Sequence, residues 1–499
     1  MSFVQNFPFF AIMLYLSGGV SCSVMERHVS RNVCIALNAC VSAMMAVVLA
    51  YTMRTGESYV YLMGHFPAPW GNELRIGPLE ALMATAFPCV MALTLLGGLD
   101  HIREDVERYK KSIFYAVANL LMVSMLALIF TNDLFTAYVF VEINTIASCA
   151  LVMVNYRSGK ALVAATRYLI MSLLGSGLFL IGIIILYEIT GHLLMEPMSR
   201  KIRELMVSGE YAFPLKVTVG FFAVSMALKS ALWPFHAWLP DAHASATASS
   251  SGILSGLVIK SYILLLIKLF ARVFGIEEVL STGISNSLLL FGVGAMLFGS
   301  LYALRERDIK RMLAYSSVAQ VGYIFVGIGL CSTQGMATAC IQILVHAVTK
   351  PMLFCSAGAF MYVSGESRKF KDLRGAARRA PLAGLAFTVG ALSMIGIPFF
   401  AGFVTKLNLI AALQAAGGWR FWTGVLALVA STVLNALYYL SVLAVLYSKE
   451  GDSRFENVHA AKNLPFAFST VAFIALNFLI GVGSDRLTGI LETGLSVFS

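Results

Sequence analysis

Lys229, Lys260, Lys350 and Lys406 each fall inside a long apolar run, and Glu142 falls inside another. A charge at bilayer depth is costly, so such residues line a buried hydrated path or mark a site. A buried lysine without a partner tends to give up its proton, because desolvation disfavours the charged form; a neighbouring carboxylate holds the proton in place. Glu142 and Lys229 would then form a switch. When the pair closes, Lys229 is charged; when it opens, Lys229 passes its proton on. Lys260 is the expected receiver through water, followed by His346 or Lys350, with Lys406 as the exit. Arginine stays protonated and could not serve in such a relay. None stands at the five positions.

The elements that position these residues follow from composition. The chain has 499 residues, of which 59% are hydrophobic and only 12% charged, with a mean hydropathy of +0.80. A soluble protein carries roughly twice that charged fraction. Apolar stretches of about 18–25 residues recur to the end, the length a helix needs to cross a bilayer. Only helices and closed barrels satisfy every backbone group in lipid, and the runs do not alternate with the period of two that a barrel strand needs. The expected fold is an all-α polytopic membrane protein with about fourteen transmembrane helices. Their approximate bounds are 7–25, 33–53, 76–98, 113–131, 134–154, 168–189, 217–240, 250–271, 285–304, 312–330, 336–363, 382–414, 421–446 and 464–484. The first is expected to be retained, since no early basic region or small-residue cleavage site precedes it.

The net charge of +10 is a topology signal, not a sign of nucleic-acid binding. The odd-numbered loops carry 22 Lys and Arg residues and the even-numbered loops 8. This bias predicts odd loops in the cytoplasm, both termini outside, and insertion in the inner (cytoplasmic) membrane. The basic loop 364–380 is expected to be a topology anchor, the alternative being contact with an acidic partner or with anionic lipid. The eight cysteines form no CxxC pair, so neither a disulfide framework nor an iron–sulfur site is indicated; no metal or other cofactor is expected.

Other polar residues carry blander readings. Lys268, near a predicted span end, is expected to snorkel to the interface. Asp133 is expected to cap the fifth span. His236 either relays protons or satisfies freed backbone groups. Asp241 and His243 are expected to organise a loop or a lateral access route.

Two spans are irregular. The seventh contains Trp233-Pro234 and the twelfth Gly396-Ile397-Pro398. Proline removes a backbone donor and breaks a helix, which a membrane tolerates where the freed groups are buried in protein or line a wet cavity. Lys229 precedes the first break and Lys406 follows the second, five spans later. Five is odd, so two such units would be inverted. The expected organisation is an N-terminal block of three helices (1–112), a first inverted repeat (113–273), a second (285–446), and a last helix (464–499).

The segment Lys229-Ser-Ala-Leu-Trp-Pro-Phe-His-Ala-Trp-Leu-Pro-Asp-Ala-His243 resembles the signature of the antiporter-like subunits of respiratory complex I, the multisubunit Mrp cation/proton antiporters and the membrane-bound hydrogenases. Asn132-Asp133-Leu134 before Glu142, Ser255-Gly256 before Lys260, the run Arg307 to Gln320, His346-Ala-Val-Thr-Lys-Pro-Met-Leu-Phe354 and Gly396 to Lys406 extend the resemblance over about 113–414. The resemblance implies fourteen helices with two inverted five-helix repeats and discontinuous helices seven and twelve. It also implies a midplane relay in which Glu142, Lys229, Lys260 and Lys406 match the family's charged positions, with His346 and Lys350 on the eleventh helix. The run 241–251 leans towards the hydrogenase-type or Mrp D-type subunits. Neither the lateral helix of the longest complex I antiporter-like subunit nor the extra spans of the large Mrp subunit is expected. The implied function is translocation of H+, or exchange of Na+ for H+, within a complex whose partner subunits hold any redox chemistry. The alternatives are an ion-coupled subunit of a non-redox transporter, such as one for inorganic carbon, and a structural scaffold.

Overall fold

The structure is a computed structural model of the chain and describes residues 3–68, 70–155, 159–449 and 463–496. Thirteen helices among the described residues are long and apolar enough to cross a membrane. In chain order the helices used below are α1 Phe7–Val24, α2 Arg27–Thr55, α3 Pro78–Gly97, α4 Lys111–Phe130, α5 Leu134–Val152, α6 Gly159–Thr190, α7 Ala212–Lys229 and α8 Ala248–Phe274. They continue as α9 Ile284–Arg305, α10 Ile309–Gly329, α11 Thr333–Tyr362, α12 Pro381–Ile395, α13 Ala401–Ala416, α14 Gly418–Leu446 and α15 Leu464–Val482. The expected twelfth span is thus two shorter apolar helices, α12 and α13.

Local chemistry sets the boundaries. Asp133 caps α5 by accepting from the Thr136 amide at 2.6 Å, as its sequence position predicts. Asp308 caps α10 through the Lys310 amide at 2.9 Å, and Ser332 caps α11 through the Gly335 amide at 3.0 Å. The seventh span stops at Lys229 and resumes as a short helix, Trp238–Ser245. The α12 helix stops where Gly396 takes φ +90°, a conformation glycine adopts without steric cost. A β-carbon there would also stand 2.8 Å from Lys406 Cδ.

Burial orders the bundle. Every residue of α8 is buried, and α10 and α11 are nearly as enclosed, whereas α1, α2 and α15 bury less than about a third of their apolar windows. The enclosed helix α8 is irregular. It makes π-helical turns at Leu254–Val258 and Leu269–Phe274, a form that often marks functional sites. Gly256 allows α11 to come close, since a β-carbon there would sit 2.6 Å from Pro351 Cγ.

Two features were not legible as spans. A two-stranded antiparallel hairpin, Tyr59–Leu62 with Glu73–Ile76, follows α2. An amphipathic helix, Met195–Ser208, buries Met195, Met198 and Ile202 and packs on the last turns of α8. Lys216, Arg272 and Lys310, assigned to loops in the orientation count, lie inside helices, and Arg272 and Lys310 are buried. Arg157, Arg454 and Lys462, also counted, fall outside the described residues.

Candidate functional site

The broken helices and the enclosed helix α8 bring most of the buried charges into one band of polar contacts. At one end, Lys229 closes α7, fully buried, and its Nζ donates to Thr145 Oγ1 at 3.0 Å. The ammonium lies 5.2 Å from the Tyr262 ring centroid, within cation–π range. The Tyr262 hydroxyl is 3.4 Å from Thr145 Oγ1 and donates to Asn144 Oδ1 at 3.2 Å, while Asn144 Nδ2 donates to Ser261 Oγ at 3.2 Å. Ser261 adjoins Lys260 in sequence, and no hydrogen bond among the described residues bridges the two groups.

Glu142 lies one turn before Thr145 and is half-buried. It shares a face of α5 with Phe135, Val139 and Ile146, all exposed. Among the described residues no ion pair within 4.0 Å joins Glu142 to Lys229, although the carboxylate stays within electrostatic reach. The two groups therefore stand apart, with Thr145 holding the lysine.

In the centre, the π-turn of α8 presents the Ser255 carbonyl, and Lys260 Nζ donates to it at 2.6 Å. Ser255 Oγ is 2.8 Å from Ser317 Oγ, which donates to the Leu313 carbonyl at 3.0 Å; Lys350 Nζ donates to that same carbonyl at 3.0 Å. Lys260 and Lys350 are therefore joined by contacts that pass through the Ser255 and Leu313 carbonyls. His346 lies beside the Ser255 carbonyl, one turn from Lys350, and among the described residues neither imidazole nitrogen has a partner in hydrogen-bond geometry. At the far end, the Lys406 ammonium donates to the Ile395 carbonyl, left free where α12 ends, and to Thr432 Oγ1 at 2.8 Å. It also lies 5.5 Å from the Tyr323 ring centroid.

On the face that carries the basic loops, a cavity of about 670 Å³ opens among Asp105, Arg167, Asp241, Lys310, Arg311 and Glu366. Asp241 lies in the short helix Trp238–Ser245 and not in a loop; it accepts from Arg167 at 2.7 Å and Arg311 at 2.8 Å and so ties that helix to α6 and α10. Burial holds the loop carboxyls of Asp105 and Glu366 above the usual carboxylate range, and for Glu366 the charges of Asp105 and Glu104 add to this. Lys310 donates to the Ala246 carbonyl. His243 is fully buried, stacks on Phe354 with centroids 5.0 Å apart, and among the described residues has no hydrogen-bond partner on either ring nitrogen. It stands within electrostatic reach of Lys310, Lys350 and Lys260. His236 is half-buried against the Tyr302 ring, outside these contacts.

One expectation is overturned. Lys268 does not snorkel: it is fully buried, and its Nζ donates to the carbonyls of Leu128, Ile129 and Thr131 at 3.3, 2.7 and 2.8 Å. These carbonyls lie where α4 ends and its own donors run out, so Lys268 caps that helix from outside. One turn further along α8, Arg272 forms a buried ion pair with Glu80, whose other oxygen accepts from the Gly77 amide at 2.9 Å. Sequence reasoning missed this pair. Arg272 falls just beyond the expected eighth span and was counted with a loop, and only folding brings it to Glu80, 192 positions away.

With the geometry in place, comparison with known proteins gives a consistent result. Residues 131–435 match the transmembrane family described as NADH:quinone oxidoreductase/Mrp antiporter, which is more than half of the chain. The chain belongs to this family. It is 35% identical to the N subunit of NADH-quinone oxidoreductase from Desulforudis audaxviator over 427 residues, covering 84% of this chain and 81% of that protein. It is 29% identical to the D-type subunit of the Na(+)/H(+) antiporter from Alkalihalophilus pseudofirmus over 74% of this chain and 72% of that one. Its fold superposes on a chain of the archaeal membrane-bound sulfane sulfur reductase with a TM-score of 0.87 at 23% identity, covering 98% of this chain and 97% of that one. A chain of the Mrp complex from Dietzia sp. superposes with a TM-score of 0.85 at 23% identity, covering 99% and 97%. This member of the NADH:quinone oxidoreductase/Mrp antiporter family is a multi-pass membrane protein whose fold is shared by subunits of large membrane complexes.

Proposed function

We propose that this chain is an ion-translocating subunit of a redox-driven or Mrp-type membrane complex, moving protons through Glu142, Lys229, Lys260, His346, Lys350 and Lys406. The observation that carries the reading is the set of contacts that joins Lys260 through Ser255, Ser317 and the Leu313 carbonyl to Lys350 inside the fully enclosed core; the Ser255 and Leu313 carbonyls only accept, so a proton crosses them through water or a turn of a lysine side chain. Burying an ammonium costs several kcal/mol even after relaxation, so a scaffold would be better built from apolar side chains. Protons enter from the cavity at Asp241 and Lys310 and reach the centre at His243. The basic-loop face is cytoplasmic, both termini lie outside, and α4–α8 and α9–α14 form inverted repeats.

The half-exposed Glu142 supports assembly with other subunits. A carboxylate on a face shared with Phe135, Val139 and Ile146 is costly against lipid, and a neighbouring subunit would cover it. Na+ exchange and non-redox ion coupling stay open, since one relative belongs to a Na(+)/H(+) antiporter. The test is ion pumping by the intact complex in liposomes with Lys229→Ala and Glu142→Ala. Pumping at the native rate in both variants would sink the relay. The identity of co-purifying subunits separates the redox-driven from the Mrp-type assignment.

A further inference from the structure

Between Lys350 and Lys406 lies a buried cluster of hydroxyls on α9, α10 and α14, with Asn435 at its middle. On the Lys350 side, Nζ donates to the Tyr439 hydroxyl at 3.5 Å, Tyr439 is 2.9 Å from Ser316 Oγ, and the Tyr438 hydroxyl is 2.9 Å from Ser316 Oγ and gives its one proton to Asn435 Oδ1 at 2.9 Å. On the Lys406 side, Tyr323 donates to Ser431 Oγ at 3.0 Å, Ser431 is 2.9 Å from Ser300 Oγ, and Ser300 donates to Asn435 Oδ1 at 3.1 Å. Thr432, which accepts from Lys406, lies beside the Tyr323 hydroxyl.

A hydroxyl both donates and accepts, so a proton crosses a row of them as each O–H bond breaks while the next forms. An amide oxygen only accepts and an amide nitrogen only donates. Both rows donate to the same oxygen of Asn435, so neither can hand a proton to the other. Rotating the amide by half a turn offers Nδ2 to both rows instead, and the junction is again closed. The block is therefore a property of the residue type and survives either setting of the amide. Asn435, Ser300 and Ser431 are fully buried, so the cluster has no route around the junction through bulk water.

We infer that Asn435 is a proton stop between Lys350 and Lys406, and that transfer between the two lysines requires its side chain to leave the junction. The inference rests on the relay proposed above. In the intact complex in proteoliposomes, proton flux is followed with a pH-sensitive dye, passively under a potassium diffusion potential and actively under the driving reaction. Asn435→Asp supplies a carboxyl that, when protonated, both donates and accepts. It is expected to raise passive proton flux at least tenfold. Tyr438→Phe removes one hydroxyl from the Lys350 row and is expected to stay tight while driven transport falls at least tenfold. Passive flux at the native level in Asn435→Asp, or native driven transport in Tyr438→Phe, would overturn the inference. Where Asn435→Asp does not assemble, Tyr438→Phe decides alone. Lys229→Ala measured in parallel separates the two levels: if it abolishes transport while Tyr438→Phe does not, the relay stands and the Asn435 stop falls. If Lys229→Ala pumps normally, the relay itself is wrong.

Discussion

Replacing Lys268 with methionine separates a structural lysine from a transporting one on the same helix. Methionine keeps an unbranched apolar stem one atom shorter than lysine and removes its three donors. The lost hydrogen bonds run to Ile129, Thr131 and Leu128, two of them short and one at 3.3 Å. Hydrogen bonds from a charged donor contribute about 1.5–3 kcal/mol each, which would total about 5–7 kcal/mol with the long one counted low. Removing the ammonium also removes its burial penalty of several kcal/mol. The net expectation is a loss of about 2–4 kcal/mol, because three helix-end carbonyls stay buried without a donor. Lys260 donates to a single carbonyl, so Lys260→Met should change stability by about 1 kcal/mol or less in magnitude. Unfolding in one detergent–lipid mixture measures both, and pumping per folded complex is measured alongside. Lys268→Met should unfold readily and still pump; Lys260→Met should stay stable and not pump. A stable Lys268→Met protein without transport would place Lys268 in the relay and refute its assignment as a cap.

Three further substitutions test other parts of the site. Glu80→Gln leaves the Arg272 charge buried beside a neutral amide, and thermal unfolding should reveal a loss of about 3–5 kcal/mol that the double variant Glu80→Gln/Arg272→Gln partly recovers. Gly396→Ala imposes about 1–2 kcal/mol of strain at φ +90° and pushes a methyl against the Lys406 stem, so both stability and transport should fall; native transport would mean Lys406 is seated by other contacts. Asp241→Asn weakens two partly exposed ion pairs, so stability should shift by less than about 1 kcal/mol while proton uptake slows, and an unchanged uptake rate would remove the cavity from the route.

The charges were legible because a lysine in an apolar run stands out in one dimension. Their partners were not. Thr145, Tyr262, Ser317 and Asn435 belong to residue types that are ordinary in membrane helices, and they matter only because α5, α8, α10 and α14 converge on them. Lys268 was misjudged for a related reason. Its sequence position near a span end suggested water, but α8 runs on to Phe274 and the amphipathic helix Met195–Ser208 packs over its last turns. Both proline breaks were legible, since proline and glycine act on the backbone locally. The π-turn at Leu254–Val258, whose Ser255 carbonyl accepts from Lys260, was not, because no residue type signals it in advance.

A proton path that stayed continuous from one face to the other would discharge the membrane, so a coupled relay needs interruptions that close in sequence. The structure has them in defined places. Glu142 and Lys229 stand apart, with Thr145 between them. The Lys229 group stops at Ser261, whose hydroxyl turns to the Val258 carbonyl and away from Lys260. Two hydroxyl rows meet at an amide that cannot pass a proton. Between the second and third of these lies the stretch from Lys260 to Lys350, held inside the most enclosed helices by contacts to the Ser255 and Leu313 carbonyls, which position the two lysines without themselves carrying a proton. Lys229 and Lys406, by contrast, adjoin the two breaks in the helices, where the backbone has fewest internal bonds to hold it. On the proposed reading, movement belongs at the broken helices and rigidity at the centre: a small shift at either break alters the partner of one terminal lysine and leaves the central contacts intact.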